Sequence, residues 1–368
     1  MNKNNEEQRY EIPLFYPYIS TRAIKKVERV LKSKWIGQAE LVDEFERRFA
    51  KRFGFRYCVM TNSGTAALHL AYILSGIKPG DEVISTVLTC SATHHPLLYM
   101  GARIKFSDIN PNTLNMDDKT VSFAMTNKTK AVVVTHLGGL AVPKLTLPDK
   151  ITVIEDACQA IGAKTIGWGR FTCFSFQAIK TLTCGDGGML VCRNKSDYMR
   201  ARRLRWFAID RDDKKRKNWQ AWTKRGITSD QKEVGYKYQP TDIDAAIALA
   251  NLEDFDILLE HRALLATRYR ERLNAVGGLS LLESGDNANW LFMIKAERRD
   301  DLARKLASAG VESNITHIRN DIITVFGGYR QNLPMMNSVE KKYICLPLHH
   351  NIGLKEVDYI CNIISEGW

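Results

Sequence analysis

The sequence predicts an α/β protein whose core is a doubly wound, mainly parallel mixed sheet between helices, followed by a smaller C-terminal α/β domain. Three observations carry this. The runs 131–135 (AVVVT) and 151–155 (ITVIE) are β-branched and nearly unbroken, the pattern of strands buried on both faces. From residue 57 onward strand-like and helix-like stretches alternate, which predicts parallel strands joined by crossover helices. After Gly278 the pattern resets into a second set of short elements. The chain therefore divides into a large domain over 1–250, including an N-terminal arm, and a small domain over 251–368.

Taken in order, residues 1–20 are an arm with little intrinsic structure before Ile12-Pro13-Leu14-Phe15-Tyr16. Leu41, Phe45 and Phe49 recur every four residues among charges, predicting an amphipathic helix from Leu41 to Phe53. A strand at 57–60 is followed by Thr61-Asn62-Ser63-Gly64-Thr65 and the helical run AALHLAYIL. Strands are expected at 83–88 and 104–106, with a helix at 92–100 between them. In the stretch Phe171 to Met189 an apolar, β-leaning run delivers Lys180 into a Thr/Gly-rich turn ending in Gly185-Asp186-Gly187-Gly188. A basic stretch, 194–232, interrupts the alternation. Thr241-Asp242-Ile243-Asp244 has the form of a capping box, opening a helix that leads to a second one ending near Leu273. In the small domain, a strand at 290–296, a helix at 300–309 stopped by Gly310, and a strand near 311–315 are expected.

Composition bounds the function. The chain has 368 residues, 45% hydrophobic and 26% charged, the balance of a globular protein with a large core. No run approaches the roughly 20 apolar residues that span a bilayer. The polar start MNKNNEEQRY has no apolar leader segment, so a cytoplasmic protein without a membrane partner is expected. The eight cysteines show no CxxC spacing, which argues for free thiols and against a metal site. A formal charge of +12 suits an anionic ligand. The basic run from Arg200 to Lys217 could meet a diphosphate or a nucleic acid, but such a run is ordinarily a solvated face.

Three places can carry chemistry. Ser63-Gly64-Thr65, between a strand and a helix start, brings backbone N–H groups and hydroxyls to one spot, as a phosphate cradle does; such turns also use these residues simply for capping. Asp156 follows ITVIE directly, at the carboxyl end of a buried strand where open sheets present ligands; a helix-capping role is the alternative. Lys180 follows Asp156 by 24 residues, room for one crossover, and burial would make its amine a nucleophile. A lysine able to form a Schiff base, a carboxylate for a protonated pyridine nitrogen and a phosphate turn are what pyridoxal phosphate requires.

With these residues, the sequence resembles the DegT/DnrJ/EryC1/StrS sugar aminotransferases, pyridoxal-phosphate enzymes of fold type I. The resembling segments, in family order, are WIGQAELVDEFERRFAKRFG (35–54), TNSGTAAL (61–68), GDEVI (80–84), IEDACQAIGA (154–163), SFQAIKTLTCGDGGML (175–190) and VGYKYQPTDIDAAIALANL (234–252). The resemblance implies that Lys180 holds the cofactor covalently and moves protons, and that Asp156 faces its ring nitrogen. It sets Gln159 near the phenolic oxygen and Gly64, Thr65 and Ser175, with Ser63, at the phosphate. Where the family has an asparagine that reaches the neighbouring subunit's phosphate, this chain has Lys237, so a homodimer with shared sites is expected. Where many members stack an aromatic ring on the cofactor, it has Cys90; the thiol is expected to pack there, with His94 or His95 as alternatives. Trp35, His136, His317 and Arg319 are the candidates for contacting substrate.

The resemblance thus implies an aminotransferase that moves an amino group from an amino acid, glutamate foremost, to a nucleotide-linked keto sugar, a 4-keto-6-deoxyhexose foremost, in amino-sugar biosynthesis. A 3-keto sugar is the near alternative. The family's sugar dehydratases replace the Schiff-base lysine by histidine, and Lys180 speaks against that branch. A regulator or nucleic-acid-binding protein on the same fold would rest on the charge alone.

Overall fold

The computed structural model describes residues 10–216 and 230–368, together with the backbone of 222–223 and 226–227. The basic stretch from Lys217 onward and the first nine residues otherwise lie outside the described residues. In chain order the elements are α1 (Thr21–Ser33), α2 (Glu40–Phe53), β1 (Tyr57–Thr61), α3 (Gly64–Leu74), β2 (Glu82–Thr86), α4 (His95–Tyr99), β3 (Arg103–Ser107), α5 (Asp118–Ala124), β4 (Thr129–Thr135), β5 (Thr152–Asp156), β6 (Phe171–Ser175), β7 (Gly188–Cys192), α6 (Lys195–Leu204) and α7 (Arg211–Arg216). They continue with β8 (Trp222–Thr223), β9 (Gly226–Ile227), α8 (Asp242–Glu253), α9 (Phe255–Leu273), β10 (Leu279–Leu281), β11 (Phe292–Ala296), α10 (Arg299–Ser308), α11 (Pro334–Val339), β12 (Tyr343–Leu346) and α12 (Leu354–Ser365).

Among the described residues seven strands form the main sheet, in the order β1-β7-β6-β5-β4-β2-β3. The five from β6 to β3 run parallel. β7 alone is reversed against both neighbours. That reversal follows from connectivity: β6 and β7 form a long-looped hairpin, and the 176–187 loop between them holds Lys180. Apolar side chains from β4, β5, β6 and β7 pack against α3 on one face; on the other, those of β6 and β7 meet α2 and α8, and those of β4 meet α5. On one face Phe45, Phe49, Phe174 and Phe176 meet largely edge to face, a geometry that adds to simple burial.

Local signals explain several boundaries. Thr241 and Asp244 bond each other's backbone N–H groups at 3.2 and 2.9 Å, closing the capping box of α8. In place of one helix over 92–100 the chain makes a short 3₁₀ turn and then α4, whose second residue, Pro96, has no N–H to extend a preceding turn. Glu46 of α2 accepts from Met60 N–H at 2.8 Å, and Arg205 donates to both Glu46 and the Met60 carbonyl, at 2.5 and 2.7 Å. Part of the basic run is therefore buried and ion-paired between α2, β1 and α6, where a solvated face was expected.

The C-terminal part carries a second, antiparallel sheet, β10-β11-β12, covered by α9, α10 and α12 around Tyr269, Phe292, Ile344, Leu346, Ile360 and Ile364. The strand expected near 311–315 is absent as such: Val311 bridges Ile12 of the arm and Asn314 bridges Cys345. A single bridge at each end leaves no continuous ladder, and β12 takes the sheet position instead. Among the described residues no helix is long and apolar enough to cross a membrane.

Candidate active site

The carboxyl ends of β1, β5 and β6 converge, and each carries one piece of the site. β6 ends at Ser175 and turns sharply, with Lys180 N–H donating to the Gln177 carbonyl at 2.9 Å. Asn251 of α8, fully buried, donates to the Thr183 carbonyl at 2.7 Å and so fixes the far side of this loop. Lys180 as a residue stays partly accessible, while the protein around its amine removes water. That desolvation lowers its pKa, against an opposite pull from Cys158, Cys90 and Asp156. Its Nζ lies 3.8 Å from the centroid of the Trp290 ring.

Asp156 closes β5 and is buried. One carboxylate oxygen accepts from Thr93 Oγ1 at 2.7 Å and the other from Cys158 N–H at 3.1 Å. Thr93 is itself placed by Tyr72, whose hydroxyl donates to the Thr93 carbonyl at 2.8 Å. At the end of β1, Ser63 caps α3 by accepting from Ala66 N–H at 3.1 Å. The first-turn N–H groups beyond it are ones that no helix can satisfy internally. A Cβ on Gly64 would stand 2.8 Å from Ser175 Cβ and 3.1 Å from Cys158 Sγ. The turn therefore packs directly on the end of β6, bringing Ser63, Gly64, Thr65 and Ser175 together.

Gln159 and His317 form a second layer. The Gln159 Oε1 accepts from Gly138 N–H at 2.8 Å, which turns its amide nitrogen toward His317 Nε2, 3.2 Å away. His317 Nε2 is then an unprotonated acceptor. Burial first, and the Lys180 charge second, push this imidazole's pKa down to about 4. His317 also lies nearly parallel to Trp290, with ring centres 6.4 Å apart.

The other candidates stand elsewhere. His136 is fully buried, accepting from Val142 N–H at Nδ1 (2.9 Å) and donating from Nε2 to Glu155 (3.0 Å), so both ring nitrogens are used inside the protein. Arg319 is likewise consumed, paired two-fold with Asp321 at 2.7 and 2.6 Å and also bonded to Asn337 and Glu340. Trp35 is 76% exposed and lines a cleft of about 580 Å³ with Lys26, Arg29 and Arg211. Lys237 is exposed, its amine 5.8 Å from the Phe207 ring. Among the alternatives to Cys90, His94 is turned into the core between Ser85 and Asn320, and His95 packs on Tyr99 and Phe326. Cys90 is near enough to Lys180 to bear on its charge.

Trp290 and Thr93 were not legible as site residues. Trp290 stands as the first residue of an expected strand, and no local pattern says its ring faces Lys180, 110 positions earlier. Thr93 sits in an unremarkable Ser-Ala-Thr turn.

An enclosed amine, a buried carboxylate and a turn of N–H and hydroxyl groups are a donor set that fits pyridoxal phosphate. Residues 17–365 match the model of the DegT/DnrJ/EryC1/StrS aminotransferase family. The chain belongs to this family. Its members depend on pyridoxal phosphate, and the chain is an aminotransferase acting on sugars. GDP-perosamine synthase of Escherichia coli O157:H7 is 30% identical over 373 residues, spanning 96% of this chain and 98% of that protein. The sugar aminotransferase CalS13 from Micromonospora echinospora superposes with a TM-score of 0.88 at 30% identity, over 97% of this chain and 100% of that one. Spr1654 from Streptococcus pneumoniae in its PLP-form gives 0.86 at 25%, over 97% and 98%. Among the described residues no group of His, Cys, Asp and Glu side chains could hold a metal ion.

Proposed function

We propose that this aminotransferase takes an amino group from an amino acid, L-glutamate foremost, and gives it to a nucleotide-linked 4-keto-6-deoxyhexose. The observation that carries the reading is the Lys180 amine, desolvated at the end of β6 within the field of the buried Asp156. The likeness to a GDP-perosamine synthase supports the sugar class.

When bound, pyridoxal phosphate supplies an electron sink for the pair released as a substrate C–H bond breaks. Lys180 holds the cofactor between turnovers and, once displaced by the donor's amine, is the base that takes the amino acid's α-proton and delivers it at C4′. A lowered pKa suits that task, because the released amine can stay neutral and basic. Asp156, fixed by Thr93 and Cys158, keeps a proton on the ring nitrogen. Ser63, Gly64, Thr65 and Ser175 would hold the phosphate, Gln159 would serve the phenolic oxygen, and Cys90 would pack against the ring. With the keto sugar as acceptor Lys180 runs its proton transfers in reverse. A lysine at position 180 supports transamination over sugar dehydration. The exposed Lys237 supports a homodimer in which it reaches the partner's phosphate.

Purified protein with pyridoxal phosphate should show the visible absorbance of a cofactor bound to lysine, bleached by glutamate and missing in Lys180→Ala. It should also sediment at twice the chain mass. A panel of nucleotide-linked 3-keto and 4-keto sugars should regenerate the absorbance fastest with a 4-keto member. Wild type that never takes up the cofactor would sink the reading.

A further inference from the structure

Trp290 belongs to the segment just before β11, in the small domain, yet its ring covers the lysine of the large domain. Three contacts fix the ring. Its Nε1–H donates to the Ile179 carbonyl at 2.9 Å, Phe15 stacks on it with centres 5.7 Å apart, and His317 lies nearly parallel to it. It is 1% exposed. Because the anchoring carbonyl is that of the residue before Lys180, ring and amine are registered by the same piece of backbone. The 3.8 Å from Nζ to the ring centre is well inside the distance at which a π face attracts a cation, and the attraction is larger where water is excluded.

The groups facing the amine make this contact matter. Cys158, Cys90 and Asp156 surround it from the large domain and His317 from the small one. Asp156 is engaged by Thr93 and Cys158 N–H, and His317 presents an unprotonated nitrogen to Gln159. Through the half of the cycle in which Lys180 is not bonded to the cofactor, its amine must stay in place and carry a proton between two atoms. We infer that Trp290 is a positioning residue for Lys180: its ring holds the released amine and stabilises the ammonium that forms when the amine takes up a proton. This rests on the reading of Lys180 as the cofactor lysine, but the contact is a property of the chain alone.

The test is made on the full-length, cofactor-free protein by measuring how fast Lys180 is modified by an amine-acylating reagent across pH, with the modified peptide quantified by mass spectrometry. Replacing the tryptophans with mono- and then multiply fluorinated tryptophan weakens the ring's negative face without changing its shape. The midpoint of Lys180 modification should fall with each added fluorine. In Trp290→Leu it should fall by about one pH unit, a tenfold change in the free-amine ratio, with Trp290→Phe in between. A midpoint that stays put or rises in the fluorinated protein overturns the proposal, and that protein decides the matter even where Trp290→Leu fails to fold. Failure of the transaminase reading would show separately, as absent cofactor absorbance with the midpoint shift intact.

Discussion

Glu155 and Asp156 are neighbours on one strand and point to opposite faces of the sheet, which gives two carboxylates opposite work. Glu155 is fully buried and accepts from His136 Nε2, Gly167 N–H, Gly169 N–H and Thr172 Oγ1. Either orientation of a glutamine amide there would turn its NH₂ against donors, leaving buried groups unpaired. Glu155→Gln should cost about 3 kcal/mol of stability in urea unfolding, with per-molecule activity of the folded fraction retained. Asp156→Asn should do the reverse: little change in the urea midpoint, but a loss of about 10²-fold or more in the rate of cofactor bleaching by glutamate. Equal effects of the two changes on rate would contradict the division. The sequence singles out Asp156 from its place after a buried run. It says nothing of Glu155, because the partners of Glu155 come from three separate loops and strands.

At the scale of elements, the site depends on how closely the start of α3 sits on the ends of β6 and β7. A Cβ on Gly188 would come 2.3 Å from the Ser63 carbonyl oxygen, as one on Gly64 would meet Ser175. Gly64→Ala should therefore force the turn off β6, costing about 1–3 kcal/mol and raising the Kd for pyridoxal phosphate. Adding Ser175→Gly removes the clashing Cβ and should return part of the stability while cofactor affinity stays low, since the hydroxyl proposed to hold the phosphate is gone. Additive losses in thermal melting of the double variant would refute the contact as the cause. Most of this architecture is legible in the chain. The strand, turn and helix from Tyr57 to Leu74, the buried runs at β4 and β5 and the capping box at Thr241 are local signals that tertiary packing does not overrule. β7 was hidden behind a glycine turn that looked like an ending. The expected strand at 311–315 gave way because its partners, Ile12 and Cys345, are distant in sequence and leave it single bridges. Periodicity carries no information on such pairings.

For the molecule as a whole, the seam between the large sheet and the C-terminal segment is tied in part by a histidine that cannot be charged cheaply. His94 is fully buried; Asn320 Nδ2 donates to the Thr89 carbonyl at 2.6 Å, so its Oδ1 accepts from His94 Nδ1 at 2.9 Å, and Ser85 of β2 meets Nε2 at 2.9 Å. Asn320 and its neighbour Arg319, clamped by Asp321 and Glu340, come from the C-terminal segment. One neutral imidazole thus ties a strand of the large sheet to that segment. Burial pushes its pKa from 6.5 down to about 4. As pH falls below 6.5 the unfolded chain takes up a proton that the folded one refuses, so stability present above that pH is lost progressively down to about 4. Between pH 7 and pH 5 this single group should remove about 2 kcal/mol from the unfolding free energy. His69, His317 and His350, also held down to about 4 by burial, act in the same direction. His94→Gln, which cannot titrate, should be less stable than wild type at pH 7 yet lose about 2 kcal/mol less on going to pH 5. Urea unfolding of both proteins at the two pH values checks this, and parallel losses would remove His94 from the seam's acid sensitivity.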